Sequence, residues 1–482
     1  MQVDFTLLIP EFMLAGLGVL VLIADFAVPW RSRGGKNGVL AALTVLGLAV
    51  TFALMLRMQW NTHEVLYDNL IYVDRYALLF KALAMGIGAA VVLISMEYVH
   101  TRIRHAGEFY ALLVFAVLGA VLMAGAAELL TAYIAIELLA FCLYVLVALS
   151  RGDTRSGEAA TKYILLGAIS SAVMLFGIAL IYGAIGETSF RASERLLESV
   201  FGPTVALGLA MFVAGLGFKL SMAPFHLWAP DVYEGAPTPV TALVSVLSKA
   251  AAFALTLRFL AEAGSATLEE WQLALAVLAA LTMTVGTFTA LVQENIKRLL
   301  AYSSVAQVGF VLIGIIALNE SGARAALLHI AGYSFTNLAA FAVVIAVEAK
   351  TGKERIADYA GLASRSPLLA MVMASAMFSL AGLPIFAGFV TKFLLFTSAV
   401  EGGLFWLMVI AVVNSLVSLY YYLRIVREMY VGEAAETGRL RLHVAASLPV
   451  WFLFAGTVLV GVYPAPLMDA AGAAVSALAP FP

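Results

Sequence analysis

Hydrophobic positions in this chain come in long uninterrupted blocks, without the alternation of a half-buried strand or the polar face of a surface helix. A helix needs about 20 mostly apolar residues to cross a bilayer. Fourteen stretches meet that criterion: roughly 5–28, 38–58, 72–97, 109–126, 128–149, 161–184, 203–223, 237–260, 270–292, 299–317, 324–348, 366–400, 403–426 and 445–470. The pattern therefore predicts an all-α polytopic membrane protein. The first run is longer than a signal-peptide core of about 7–15 residues, and no basic segment precedes it, so it is expected to be a retained span.

Two stretches break the pattern. Residues 203–232 and 366–400 would be about 45 and 52 Å long as straight helices, against a hydrocarbon core of about 30 Å. Each contains a proline, Pro224 and Pro384, which removes a backbone hydrogen bond and kinks or breaks a helix. Broken helices at membrane depth are tolerated where they are buried in protein or line a wet cavity. They fall in spans 7 and 12. An offset of five spans turns the second copy upside down, so spans 4–8 and 9–13 are expected to form an inverted repeat of two five-helix units. The organisation predicted is a single membrane domain over 1–482: a three-helix segment 1–108, a first unit 109–262, an inverted second unit 268–430, and a C-terminal helix 440–482.

Composition agrees. The chain has 482 residues, 63% hydrophobic and 12% charged, with mean hydropathy +0.99. A soluble domain is about 45–50% apolar and about 25% charged. Its one cysteine, Cys142, excludes a disulfide framework and a Cys-rich metal or iron–sulfur site. The basic residues carry more information. Eighteen fall in loops after odd-numbered spans and six in loops after even-numbered ones. Lys and Arg accumulate on the cytoplasmic side, which places both termini outside. Only Lys81, Lys219, Lys249 and Lys392 then remain within spans.

Those four bring in chemistry. A charged lysine at mid-membrane costs about 2.5–3.5 kcal/mol on insertion scales and is read as functional with a named partner. The natural counter-ion is Glu137, the acid at the centre of "AYIAIELLAFCLYVLVAL". Burial disfavours an ammonium and a nearby carboxylate favours it. A lysine beside a movable carboxylate can therefore take up and release a proton, and a line of them would conduct protons. A single buried pair can equally be structural glue or a snorkelling side chain; three mid-span lysines, two of them beside breaks, favour function. Lys81 near Asp74 divides evenly between the two readings. His226 and His329 are either proton relays or hydrogen-bond donors to neighbouring backbone. Glu11, Asp25 and Glu128 read as ordinary span-end acids, and Tyr420, Tyr421 and Tyr422 as an interfacial belt. Neither a dinucleotide-binding glycine pattern nor a nucleotide-binding P-loop occurs.

"LLTAYIAIELLAFCLYVLVAL", "FKLSMAPFHLWAPDVYEGAPTPVTALVSVLSKAAAF", "ENIKRLLAYSSVAQVGF" and "SLAGLPIFAGFVTKFLLF" resemble, in this order, the antiporter-like membrane subunits of proton-pumping NADH:quinone oxidoreductase (respiratory complex I). That family includes the L, M and N types and Mrp-type cation/proton antiporters. "DVYEGAPTPV" and the Ser-Lys of "VLSKA" fit the N type. Where the L and M types tend to carry a histidine and a lysine, "HIAGYSFTNLAAF" has Tyr333, Thr336 and Asn337.

The resemblance implies proton translocation driven by redox energy from elsewhere. Glu137 and Lys219 would be the first-half ion pair, Lys249 the central relay, and Lys392 the second-half residue facing the exit. It implies no cofactor in this chain: NADH, FMN, iron–sulfur clusters and quinone would belong to partner subunits. Partners would be M-type and K/J-type membrane neighbours, the lipid bilayer and protons, with no nucleic acid. The place would be a bacterial inner membrane. A stand-alone cation/proton antiporter of the same superfamily and a non-transporting membrane scaffold remain the alternatives.

Overall fold

A computed structural model of the chain describes residues 5–27, 33–150, 152–191, 201–263, 268–317, 319–433, 438–440 and 444–478. Of the loop cations, Arg31, Arg151, Arg195 and Arg441 lie outside the described residues. The architecture is a helical bundle. Its helices are α1 (Ile9–Ala27), α2 (Arg33–Gln59), α3 (Arg75–Arg102), α4 (Ala106–Gly125), α5 (Leu129–Val147), α6 (Thr154–Ile185), α7 (Pro203–Leu220) and α8 (Trp228–Gly235). They continue with α9 (Thr238–Glu262), α10 (Leu268–Ala290), α11 (Ile296–Ile316), α12 (Glu320–Thr351), α13 (Pro367–Ala381), α14 (Ala387–Glu401), α15 (Phe405–Val431), α16 (Val444–Val462) and α17 (Ala465–Val475). The sheet among the described residues is one short hairpin, β1 (Glu64–Leu66) paired antiparallel with β2 (Ile71–Val73).

Twelve of the described helices are long and apolar enough to cross a membrane, and a thirteenth crossing is counted if the pair α16 and α17, bent by 79°, forms one span. All fourteen expected stretches fall on helices. The difference in count lies at 366–400, which divides into α13 and α14 of 15 residues each, both too short to cross alone.

Burial is uneven, and that positions the site. α9 is buried along its whole hydrophobic window and α11 and α12 along 94% of theirs, whereas α2, α6 and α15 bury only a third. Three helices wrapped all round by protein form the centre, and the others turn apolar side chains such as Leu165, Ile169, Phe176 and Leu416 outward. A helix in the centre never meets lipid, so it can carry polar side chains that find partners inside.

The ends of α9 are fixed by polar contacts. At its start Thr238 donates to Glu348 near the end of α12, which also accepts from Tyr98 on α3 at 2.9 Å. At its other end Arg258 grips Asp74, the N-cap of α3, through two bonds of 2.8 and 2.9 Å. Lys249 lies between them, about 16 Å from one contact and about 14 Å from the other at 1.5 Å per residue. It follows directly on a π-helical turn, Val244–Ser248, a distortion frequent at functional sites.

Candidate functional site

The two interrupted spans stop in the same way. α7 ends on Ser221 and α13 on Gly382, both in the left-handed conformation, with φ 63° and 88°. At the first, Ser221 N donates to Phe218 O (3.0 Å) and Met222 N to Gly217 O (2.7 Å). At the second, Gly382 N donates to Ser379 O (2.9 Å) and Leu383 N to Phe378 O (2.9 Å). This is the Schellman closure of a helix C-terminus. Pro224 and Pro384 follow and prevent the helix from resuming.

The further polar contacts at the two breaks differ. At the first break the indole of Trp228 gives Phe218 O a second donor at 2.9 Å, and Ala223 N donates to Thr282 Oγ1 at 3.0 Å. At the second, Leu380 O accepts from Lys392 Nζ (2.7 Å) and Gln307 Nε2 (3.3 Å), and Ser415 donates to Ala381 O (3.2 Å). Lys392 reaches back from α14 to the end of α13, where orphan carbonyls and the negative end of the helix dipole favour a cation. Its ammonium also meets Ser415 Oγ at 3.2 Å and lies 4.6 Å from the Phe310 ring centroid. The absence of a side chain at Gly382 makes room, since a Cβ there would approach Lys392 Cδ to 3.3 Å.

Lys219 sits on the last turn of α7. Glu137 from α5 is its nearest carboxylate, with Oε1 3.9 Å from Nζ. That is ion-pair distance but too long for a hydrogen bond, and Nζ has no hydrogen-bond partner among the described residues. Glu137 Oε1 instead accepts from Ser171 on α6. The rings of Tyr144 and Phe218 flank the ammonium at 5.8 and 5.7 Å.

From Lys219 a file of aromatic rings leads toward Lys249. Tyr144 packs edge-on against Tyr163 (4.7 Å), Tyr163 stacks on Trp228 (4.5 Å), and Trp228 meets Tyr233 (6.5 Å). Tyr233 shares a hydrogen bond of 3.2 Å with Ser304, and Ser304 accepts from Lys249 Nζ. Lys249 lines a cavity of about 10 Å³ with Ser304, Gln307, Tyr333 and Ser334, room for about one water. Gln307 then touches Leu380 O, the acceptor of Lys392. Ring contacts, hydrogen bonds and one small shared cavity thus lie between the three lysines.

His329, buried on α12, pairs through Nδ1 with Thr391 at 2.9 Å, one residue before Lys392. His226, buried just past Pro224, has an unpartnered Nδ1 among the described residues. Tyr333 donates to Ser245 O (3.4 Å), Asn337 to Ser245 Oγ (2.8 Å), and Thr336 pairs with Ser379 (2.9 Å).

Several sequence expectations need correcting. Lys81 pairs with Glu11 at 2.6 Å, not with Asp74, because Asp74 is taken by Arg258. Glu11 is accordingly no ordinary end residue. Arg258, counted with the loops, is a buried cation inside α9, between the Tyr72 and Tyr76 rings at 4.4 and 4.6 Å. Tyr421 and Tyr422 are fully buried and only Tyr420 is exposed; Tyr422 bonds Ser303 at 2.5 Å. Glu128 does cap a helix, accepting from Leu130 N and Thr131 N. Sequence reasoning overlooked Ser171, Tyr233, Ser304, Gln307 and Glu348. Four of them are uncharged and carry no signal in a hydropathy pattern; only Glu348, an acid at the end of an apolar stretch, could have been found that way.

On α8, Tyr233 faces inward while Asp231 and Glu234 line a charged surface pocket of about 210 Å³ with Arg155, Glu158, Lys162 and Arg298. Asp231 bonds Lys162 and Arg298, both at 2.8 Å. Burial pushes its carboxyl up, but the hydrogen bonds and charges of Lys162 and Arg298 outweigh that and hold it below the usual carboxylate range. Among the described residues no group of three or more His, Cys, Asp or Glu side chains is placed to hold a metal ion.

Residues 126–418, which carry both breaks and all three lysines, match the family model described as "NADH:quinone oxidoreductase/Mrp antiporter, TM". The chain belongs to this family. Within the NADH:quinone oxidoreductase/Mrp antiporter family it is 40% identical to NADH-quinone oxidoreductase subunit N of Desulforamulus reducens, over 98% of both chains. A chain of respiratory complex I from Thermus thermophilus superposes with TM-score 0.81 at 33% identity, covering 96% of this chain and all of that one. A chain of the Mrp complex from Dietzia superposes at TM-score 0.82 over 98% and 97% of the two chains; at 21% identity this shows a shared fold.

Proposed function

We propose that this chain is the proton-translocating membrane subunit, of the N type, of an NADH:quinone oxidoreductase in a bacterial inner membrane. The observation that carries the reading is the Glu137–Lys219 pair, 3.9 Å apart beside a helix break, with the ammonium free of hydrogen bonds among the described residues. A change arriving from a neighbouring subunit moves Glu137 relative to Lys219. Lys219 then gives up its proton toward Lys249, and Lys392 passes it on toward the outer side. The polar contacts of Tyr233, Ser304 and Gln307 support that order. Redox energy comes from partner subunits holding NADH, FMN, iron–sulfur clusters and quinone, with M-type and K/J-type membrane subunits as neighbours.

The inverted repeat, units 109–262 and 268–430 between segments 1–108 and 440–482, is part of the proposal. Its support is the identical closure of α7 and α13 five spans apart. The loop charges support outward termini.

Replacing Lys219 or Glu137 with Ala in the assembled enzyme, followed by proton uptake in inverted vesicles, tests the reading. Loss of pumping is expected; wild-type pumping by correctly assembled variants would sink the roles of both residues. A stand-alone cation/proton antiporter would instead express stably and exchange ions without partner subunits.

A further inference from the structure

Among the described residues Ser171 is the one hydrogen-bond donor on Glu137 Oε1, the oxygen that faces Lys219. A helical serine or threonine commonly returns its O–H to the carbonyl four residues back, as Thr161 does in the same helix. Ser171 gives its O–H to another helix.

Its position is fixed on both sides. The buried stripe of α6 runs Tyr163, Gly167, Ser171, Met174, Ile178. One turn before Ser171, Gly167 accommodates Tyr144; a Cβ there would stand 1.9 Å from its hydroxyl oxygen. One turn after, Met174 packs on Gly215 of α7, where a Cβ would meet it at 2.5 Å. With α6 locked against α5 and α7, the Ser171 hydroxyl is a stationary anchor. A charge-assisted N–H···O bond spans about 2.7–2.9 Å, so the 3.9 Å gap from Glu137 to Lys219 is about 1 Å short of contact.

We propose that Ser171 is a positioning residue that holds Glu137 away from Lys219 and so creates the second of two positions for this carboxylate. With Glu137 on Ser171, Lys219 is loosely held and free to release its proton. With Glu137 closed on Lys219, the proton is retained. No bond is made or broken at Ser171; it only redirects its O–H. The inference rests on the proton-transfer reading of Glu137 and Lys219.

The test compares Ser171→Thr, Ser171→Ala and Ser171→Cys in the assembled enzyme, reading protons pumped per NADH in inverted vesicles with the amount of assembled complex measured alongside. Thr keeps the hydroxyl and should pump as wild type. Ala removes the donor, and Cys keeps the size with only a weak donor. Both should lower the ratio about two- to tenfold, the range one hydrogen bond commands. If Ala impairs assembly, the Cys variant decides. Wild-type pumping by Ala and Cys, or a loss by Thr equal to that by Ala, overturns the role of Ser171. Lys219→Ala, run in parallel, separates the two levels. Its failure to impair pumping sinks the underlying reading, whereas its loss beside a normal Ser171→Ala sinks only the positioning role.

Discussion

The buried cations of this protein fall into two groups that differ in how their charge is met. Near the two ends of the central helices, Lys81, Arg258 and Lys297 touch carboxylates at 2.6–2.8 Å: Glu11, Asp74 and Glu354. In the middle, Lys219 stands 3.9 Å from Glu137, while Lys249 and Lys392 rest on hydroxyls, a carbonyl and ring faces. A tight pair in low dielectric locks both charges in place. An ammonium on neutral dipoles has no fixed counter-charge holding its proton. Burial alone therefore does not separate the two groups; looseness of pairing does, and it singles out the three lysines proposed to carry protons.

The largest expected effect breaks a tight pair. Arg258→Gln leaves Asp74 buried without its cation and Glu262 with only the distant, half-exposed Arg191 at 4.0 Å, which costs about 3–5 kcal/mol. Assembled complex on native gels should fall steeply, whereas Lys249→Met, which strands no carboxylate, should assemble normally and lose pumping. Equal assembly of the two variants would collapse the distinction.

The breaks themselves give a smaller effect. Gly382→Ala forces a side chain into a left-handed position, about 1–2 kcal/mol, and crowds Lys392 as well. Ser221→Gly relieves the same conformation at the first break. Thermal inactivation midpoints of the enzyme should fall for the former and hold or rise for the latter. Ser415→Ala removes one of the hydrogen-bond partners of Lys392 and leaves Leu380 O, so pumping should fall only about twofold.

The smallest effect is at the charged pocket on α8. Since the Asp231 carboxyl is held below its ordinary value, its stabilising contribution is present at neutral pH. It is lost as pH falls below about 4, the unfolded value. The group is nearly one-third exposed, so the contribution is about 0.5 kcal/mol or less. Asp231→Asn should remove that part of the acid sensitivity, read as thermal midpoint against pH.

Much of this was legible in one dimension. Block length gives the helices because a bilayer demands about 20 apolar residues, and Pro224 and Pro384 mark the breaks because proline cannot continue a helix. Lys219, Lys249, Lys392 and Glu137 stand out because a charge among apolar residues is conspicuous. Serine, glutamine and tyrosine are not: Ser171, Ser304, Gln307 and Tyr233 carry no charge and disrupt no hydropathy block.

The sequence by itself therefore determined the helical stretches, the two breaks and the mid-span lysines, since each follows from the local cost of placing a group in hydrocarbon; it did not show that Arg258 and Glu11 are buried. Tertiary structure alone decided the partners. Whether Asp74 faces Lys81 or Arg258 depends on which helices meet and how they are rotated, and spacing along the chain holds no trace of it. Likewise only packing put Ser171 on Glu137 and left Lys219 about 1 Å short of a bond, the distance on which its proposed role depends.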